Sequence, residues 1–306
     1  MTCFDFSVYD KHMIEKGDKH MKFIRAYMDN TEQRHLLNEM TSEIFDFSFE
    51  KWYNAGYFES EYIPYSYIED GRMVANASAN IMRFTFQGTE KRYIQIGTVM
   101  TRPAYRNRGL ARELIERIIR DYQDNVDGFY LFGNLRAVGF YEHIGFKHLN
   151  QWKYYSNSLS ERDAQLPGFV PAGEEMRPAY VHMLKNAANN AIFDHLNRCS
   201  LQMFYTMDMK DVFYCEDLDC FAVMHIENET LHLQSIISKR ELDVETILKR
   251  INHKFSYVEF GFTPKNRYSY RAEIFDGADE YRLFYKGDSL KLLEDERLYF
   301  PIMSHA

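Results

Sequence analysis

The run from Tyr93 to Tyr122 limits the fold more than any other stretch of the chain. YIQIGTV reads as a strand, MTRPAYRNRG as a polar turn, and the following residues set Leu110, Leu114, Ile115, Ile118, Ile119 and Tyr122 on one helical face. A strand feeding through a short turn into a helix with one apolar stripe has to bury that stripe against a sheet. That makes an α/β layer.

Neighbouring stretches extend the layer. MKFIRA (21–26) reads as a short strand and residues 34–55 as helical, and strand signals cover 63–69, 72–86 and 92–99 with a turn at Asp70-Gly71. Those strands form an antiparallel meander. After the helix at 110–122 come a buried strand (GFYLFG, 128–133), a short helix ending near His143 with Gly145 as its left-handed cap, and a strand opened by Phe146. The expected fold class is therefore α/β, with a mixed, mostly antiparallel sheet flanked by helices.

Apolar periodicity stops in YSNSLSERDAQLPGFVPAGEE (155–175), where Ser, Pro and Gly cluster. The reading is a domain at 1–155, a linker at 156–175 and a second domain at 176–306, as expected for 306 residues. Beyond the linker a helix fits 178–198, a hairpin 221–226 and 231–237, a helix 242–253, and strands 257–262, 268–275, 280–285 and 298–303. Hairpin, helix and strand repeat the order of the first half, which suggests a second α/β domain of related topology.

Composition excludes several classes. No apolar run approaches the roughly 20 residues of a spanning helix. The opening MTCFDFSVYDKHMIEKGDKH has no basic segment followed by an apolar one, so a cytoplasmic protein is expected. Cys3, Cys199, Cys215 and Cys220 fit neither a disulfide scaffold nor a zinc knuckle, and no histidine pair follows at ligand spacing. Reduced structural cysteines and no metal are expected.

The net charge of −8 disfavours nucleic acid as a partner. It is unevenly spread: residues 1–157 hold 20 Lys+Arg against 21 Asp+Glu, and residues 158–306 hold 17 against 24. Within the near-neutral half, residues 102–120 carry six arginines and two glutamates, a local +4. The turn Arg106–Ala111 lies there, at a helix start whose free N–H groups and positive dipole end suit a phosphate. Gly109 removes the Cβ that would obstruct close approach. The competing reading pairs these arginines with Glu113 and Glu116 along a solvated helix face.

VMTRPAYRNRGLARELI followed by NLRAVGFYEHIGF resembles the two central motifs of the GNAT superfamily, the acyl-CoA-dependent N-acyltransferases. Arg106, Gly109 and Ala111 match the phosphate turn, with Ala111 standing where a glycine is common. Asn134, Ala137, Phe140-Tyr141 and Gly145-Phe146 match the second motif. The resemblance covers about residues 21–155. In the second half SKREL (238–242) has no glycine at the corresponding helix start, so a second CoA site is not expected.

The resemblance implies a division of labour. Backbone N–H groups of Arg106, Asn107, Arg108, Gly109, Leu110 and Ala111 would hold the CoA pyrophosphate. Val99 and Thr101 would pair with the pantetheine arm like an added strand. Val99 or Met100 would supply an oxyanion N–H, and Asn134 would reach the pantetheine unless it only caps the next helix. Tyr141 would protonate the departing thiolate unless it is only an aromatic core residue.

No carboxylate lies in 93–99 to act as base. Glu59, Glu61 and Glu90 read as surface acids, and some two-domain relatives use the terminal carboxylate, here that of Ala306. His143 reads as no more than a cation at a helix end.

The function implied is an acetyl-CoA-dependent N-acetyltransferase acting on a primary amine of a small molecule or peptide by direct attack in a ternary complex. Acetyl-CoA is the cosubstrate. The acceptor pocket is expected from residues 34–62 and the second domain, whose acidity and aromatics would suit a cation. The alternative is a non-catalytic acyl-CoA-binding module whose C-terminal half recruits a partner.

Overall fold

A computed structural model describes residues 21–157 and 166–306; Cys3 lies outside them. The chain begins with β1 (Lys22–Arg25), α1 (Thr31–Phe45) and α2 (Glu50–Asn54). It continues through the meander β2 (Tyr62–Glu69), β3 (Arg72–Phe86) and β4 (Thr89–Thr101). Next come α3 (Leu110–Tyr122), β5 (Gly128–Asn134), α4 (Val138–His143), β6 (Lys147–Leu149) and β7 (Gln151–Ser156).

Local chemistry explains these boundaries. Asn30 caps α1 by accepting from the Gln33 N–H at 3.0 Å. Asp70-Gly71 and Gln87-Gly88 both have positive φ at two successive residues, the turn that matches strand twist in a two-residue hairpin. Gly145 ends α4 at φ 86°.

The remaining elements are β8 (Val170–Pro171), α5 (Arg177–Lys185), β9 (Phe193–His195), α6 (Cys199–Tyr205), β10 (Val212–Cys215), β11 (Cys220–Glu227) and β12 (Thr230–Ser238). They are followed by α7 (Val244–Leu248), β13 (Tyr257–Phe260), β14 (Arg271–Phe275), β15 (Tyr281–Lys286) and α8 (Leu292–Asp295). The helix expected over 178–198 stops at Lys185. Asn190 instead donates its backbone N–H to the Asp194 carboxylate at 2.8 Å and its amide to Ser238, local bonds that compete with a helix. The segment then pairs with β3 as β9. Residues 298–303 form no strand either: the N–H groups of Tyr299 and Phe300 go to the side chains of Thr263 and Gln151, and those of Leu298 and Ile302 to the isolated carbonyls of Leu293 and Gly261.

Two sheets result. The first runs β1-β2-β3-β4-β5-β15-β6 and the second β14-β7-β13-β12-β11-β10-β8. They cross the division drawn at 155 and 176. β7, from the first half, lies between β13 and β14, and β15, from the second, lies between β5 and β6. Only Asn150 separates β6 from β7, too short for a hairpin, so β7 continues into the other sheet and leaves its place to β15.

Both sheets share a plan: an antiparallel hairpin, a helix, then a strand parallel to the last one. β4 and β5 are the parallel pair in the first sheet, β12 and β13 in the second. α3 buries Leu110, Leu114, Ile115 and Ile118 against the first sheet, beside Tyr141 and Phe146. α7 buries Val244, Ile247 and Leu248 against the second. Phe300 stacks on Tyr130 with ring centroids 4.3 Å apart, so the C-terminal tail is packed against the first sheet.

Cys199, Cys215 and Cys220 are buried free thiols. Burial pushes Cys199 up to about 11 and Cys220 up to about 12, which leaves them as unreactive core residues.

Candidate active site

β4 and β5 stay together only briefly. Tyr93, Ile94 and Gln95 pair with Gly128, Phe129 and Tyr130; beyond Gln95 no described strand takes that edge of β4. A bulge turns β4 away: its register with β3 slips between Asn76 and Ser78, and Thr98 sits at φ 41°. The strained residue is held on every side. Its carbonyl accepts from Asn76 Nδ2 at 2.8 Å, and its hydroxyl lies 2.7 Å from Ser78 Oγ and 3.1 Å from Tyr62 Oη. The small polar run ANASAN in the centre of β3, read from the sequence only as part of a strand, is the signal that could have marked this device.

Val99, Met100 and Thr101 therefore line one arm of a fork. At the end of that arm lies the turn, its residues Arg106–Gly109 exposed. Asn107 (φ 61°) and Gly109 (φ 80°) are both left-handed, and Gly109 caps α3 without a side chain. Leu110 and Ala111 open α3, where N–H groups have no partner within the helix. The first closed turn is Glu113 N–H to Gly109 O at 3.0 Å. The result is a set of amides at the positive end of a 13-residue helix.

The arginine island divides into two groups. Arg112 pairs with Glu116 at 2.7 Å, Arg117 with Glu113 at 2.9 Å, and Arg102 with Glu43. These are ordinary solvated or bracing pairs, as the competing reading of the motif had it. Arg106 and Arg108 belong to the turn itself: Arg106 Nε donates to Thr101 O at 3.3 Å, and the Arg108 guanidinium lies 4.7 Å over the Tyr105 ring.

The other arm ends at Asn134. Its Oδ1 accepts from Ala137 N–H at 3.1 Å, so it is a cap residue, with the side chain at the exposed end of β5. Tyr141 is buried against this arm. Its ring lies where a Cβ on Gly133 would be 2.6 Å from Cε2, so the absence of a side chain at Gly133 is what seats it. Its hydroxyl has no hydrogen bond among the described residues, and burial pushes the phenol up to about 12. His143 is exposed at the end of α4, away from these contacts.

The tail reaches the crotch of the fork. Gln95 is buried, and its Nε2 donates to an oxygen of Ala306 at 2.8 Å. That oxygen would lie 3.0 Å from a Cβ on Gly97, so glycine is required there. His305 stacks on Phe132 with centroids 3.7 Å apart, its carbonyl accepts from Tyr205, and burial holds its imidazole down near 3. Of the carboxylates near in sequence, Glu90 is paired with Arg83 at 2.6 Å, which keeps it below the usual range. Glu59 is pushed up by burial and by Glu61.

Above the bulge, α1, α2 and α6 gather Phe47, Phe49, Trp52, Tyr62 and Phe204, with Phe204 5.8 Å from Trp52 and 5.9 Å from Phe49. Trp52 Nε1 donates to Ser200 O at 2.9 Å, tying the two halves of the chain together at this wall.

The structure thus sets two parallel strands that part beside a helix start whose first N–H groups have no partner within the helix. Residues 21–146 match the model of the Acetyltransferase (GNAT) family, so the chain carries an acetyltransferase domain of that family. No curated protein matches the sequence.

Solved structures share the fold. One is a conserved protein of unknown function from Enterococcus faecalis V583, described as a "probable N-acyltransferase". It is 13% identical with a TM-score of 0.56, over 88% of this chain and 73% of that one. A GCN5-related N-acetyltransferase from Kribbella flavida is 14% identical, TM-score 0.55, over 87% and 70%. Eis1 from Mycobacterium abscessus is 11% identical, TM-score 0.53, over 86% and 72%. Among the described residues no helix is long and apolar enough to cross a membrane.

Proposed function

We propose that the protein is an acetyl-CoA-dependent N-acetyltransferase that acylates a primary amine by direct attack within a ternary complex. The observation that carries this reading is the β4/β5 fork standing over the Arg106–Ala111 turn. In this reading the turn amides hold the pyrophosphate, Val99 and Thr101 pair with pantetheine, and Asn134 contributes its amide to the same arm. The N–H of Val99 or Met100 stabilises the oxyanion.

The amine nitrogen attacks the thioester carbonyl carbon, the tetrahedral intermediate collapses, and the carbon–sulfur bond breaks. The departing thiolate takes the Tyr141 proton. A phenol held near 12 remains protonated through the physiological range and is available for that transfer. The amine's proton goes to a base at the crotch of the fork. A water relay there carries it to solvent. The aromatic wall of Phe47, Phe49, Trp52, Tyr62 and Phe204 supports an acceptor whose cationic group sits against ring faces.

The test is incubation with acetyl-CoA and a panel of small amines and peptides while thiol release is followed. Turnover with at least one amine is expected. CoA binding with no turnover on any amine would overturn the enzymatic reading in favour of a binding module.

A further inference from the structure

The second sheet carries a histidine and carboxylate cluster that acyl transfer does not use. His225 and Glu227 are two apart on β11 and so share a face; His232 stands directly across from His225 on β12. The two imidazoles are stacked, centroids 4.6 Å apart and planes inclined by 14°. One ligand atom from each of His225, Glu227 and His232 lies within 4.8 Å of the other two. The hairpin turn Asn228-Glu229, left-handed at both residues, fixes this register.

We propose that His225, Glu227 and His232 form a binding site for a divalent first-row transition metal of the zinc type. Two imidazoles and one carboxylate are a borderline nitrogen and oxygen donor set, which selects such ions over calcium or magnesium. Tetrahedral zinc with bonds near 2.1 Å separates its ligands by roughly 3.4 Å. The three groups approach that spacing from 4.8 Å or less, and exposed Glu227 is free to turn inward.

Three further observations agree. His225 Nδ1 is buried without a hydrogen-bond partner among the described residues. Glu259, opposite His232 on β13, has a carboxylate oxygen 3.8 Å from His232 Nδ1, the place of the carboxylate that orients a ligating imidazole. Glu259 is itself held by Lys153 at 2.5 Å. Three protein ligands leave a fourth position for water. Sequence spacing alone misses the site because its two histidines belong to different strands, six residues of hairpin apart.

The test uses the full chain free of any purification tag, titrated calorimetrically with zinc chloride and, in parallel, with cobalt(II) followed by visible absorption. One equivalent is expected to bind at micromolar concentration or below, with cobalt bands of a four-coordinate site. His232→Ala and Glu227→Gln are each expected to weaken binding at least tenfold. Glu259→Gln should weaken it less. Glu227 is exposed, so its substitution reads the site without endangering the fold. Binding that is absent, or that all three variants leave unchanged, overturns the proposal.

Discussion

The two sheets have the same plan but differ at their forks. In the first, the bulge at Thr98 opens β4 from β5, and the edge beyond Gln95 is taken by no other described strand. In the second, β12 also slips register against β11, where Val223 faces Ser235 but Met224 faces Leu233, and it pairs with β13 only from Thr230 to Leu233. There the chain itself covers the exposed carbonyls. Ser238 O accepts from the Ala188 N–H at 2.8 Å, Ile236 O from Asn190 Nδ2 at 3.5 Å, and Gly261 O from the Ile302 N–H at 2.7 Å.

The helix starts differ as well. α3 has 13 residues and a left-handed glycine cap, whereas α7 has five residues and Asp243 at its cap. A negative side chain there repels a phosphate. Topology supplies the fork twice, and under the proposed function a few residues decide which one takes the ligand.

The comparison can be broken at several levels. The largest effect is expected from cutting the chain. A fragment of residues 1–155 lacks β15, so β5 and β6 lose their shared neighbour; it should show no cooperative unfolding by circular dichroism, while co-expression with 156–306 restores it. A fragment that folds alone would mean the exchanged strands are dispensable.

Tyr141→Phe should lower turnover by about 100-fold or more with the dissociation constant for CoA unchanged. Wild-type turnover should show no loss from Tyr141 ionisation below about pH 11, since the folded phenol sits near 12.

Gly109→Val forces a branched side chain into a left-handed cap, a strain of roughly 1–2 kcal/mol before any clash with phosphate. CoA affinity should fall at least tenfold, whereas Arg240→Ala, in the corresponding turn of the second sheet, should leave it unchanged.

A separate effect is in acid stability. Burial holds His195, stacked on Phe84, and His305, stacked on Phe132, near 3, against about 6.5 unfolded. Between those values the unfolded chain binds more protons. Stability is therefore full above about pH 6.5 and falls as the pH drops toward 3. His195→Phe should flatten the denaturation midpoint against pH across that window.

What the sequence made legible was local. The Asp70-Gly71 hairpin, the α3 stripe and the Gly145 cap each follow from residues within one turn of one another. The exchange of β7 and β15 does not, because neither strand's alternation says which sheet it joins; a single residue, Asn150, decides it through the length it denies to a turn. The helix expected over 178–198 fails for a similar reason, since Asn190 and Asp194 draw their partners from β12 and from each other. At the proposed site, the motifs point to the turn and to Tyr141. Gly133, which seats Tyr141, and Gln95, which meets Ala306, emerge only when the strands are assembled.

The most direct measurement is the stoichiometry of acetyl-CoA binding by isothermal titration, on the wild-type chain and on Gly109→Val. One molecule per chain is expected, with affinity at least tenfold weaker in the variant. Two molecules per chain, or one whose affinity Gly109→Val leaves untouched, would contradict the assignment of the ligand to the first fork.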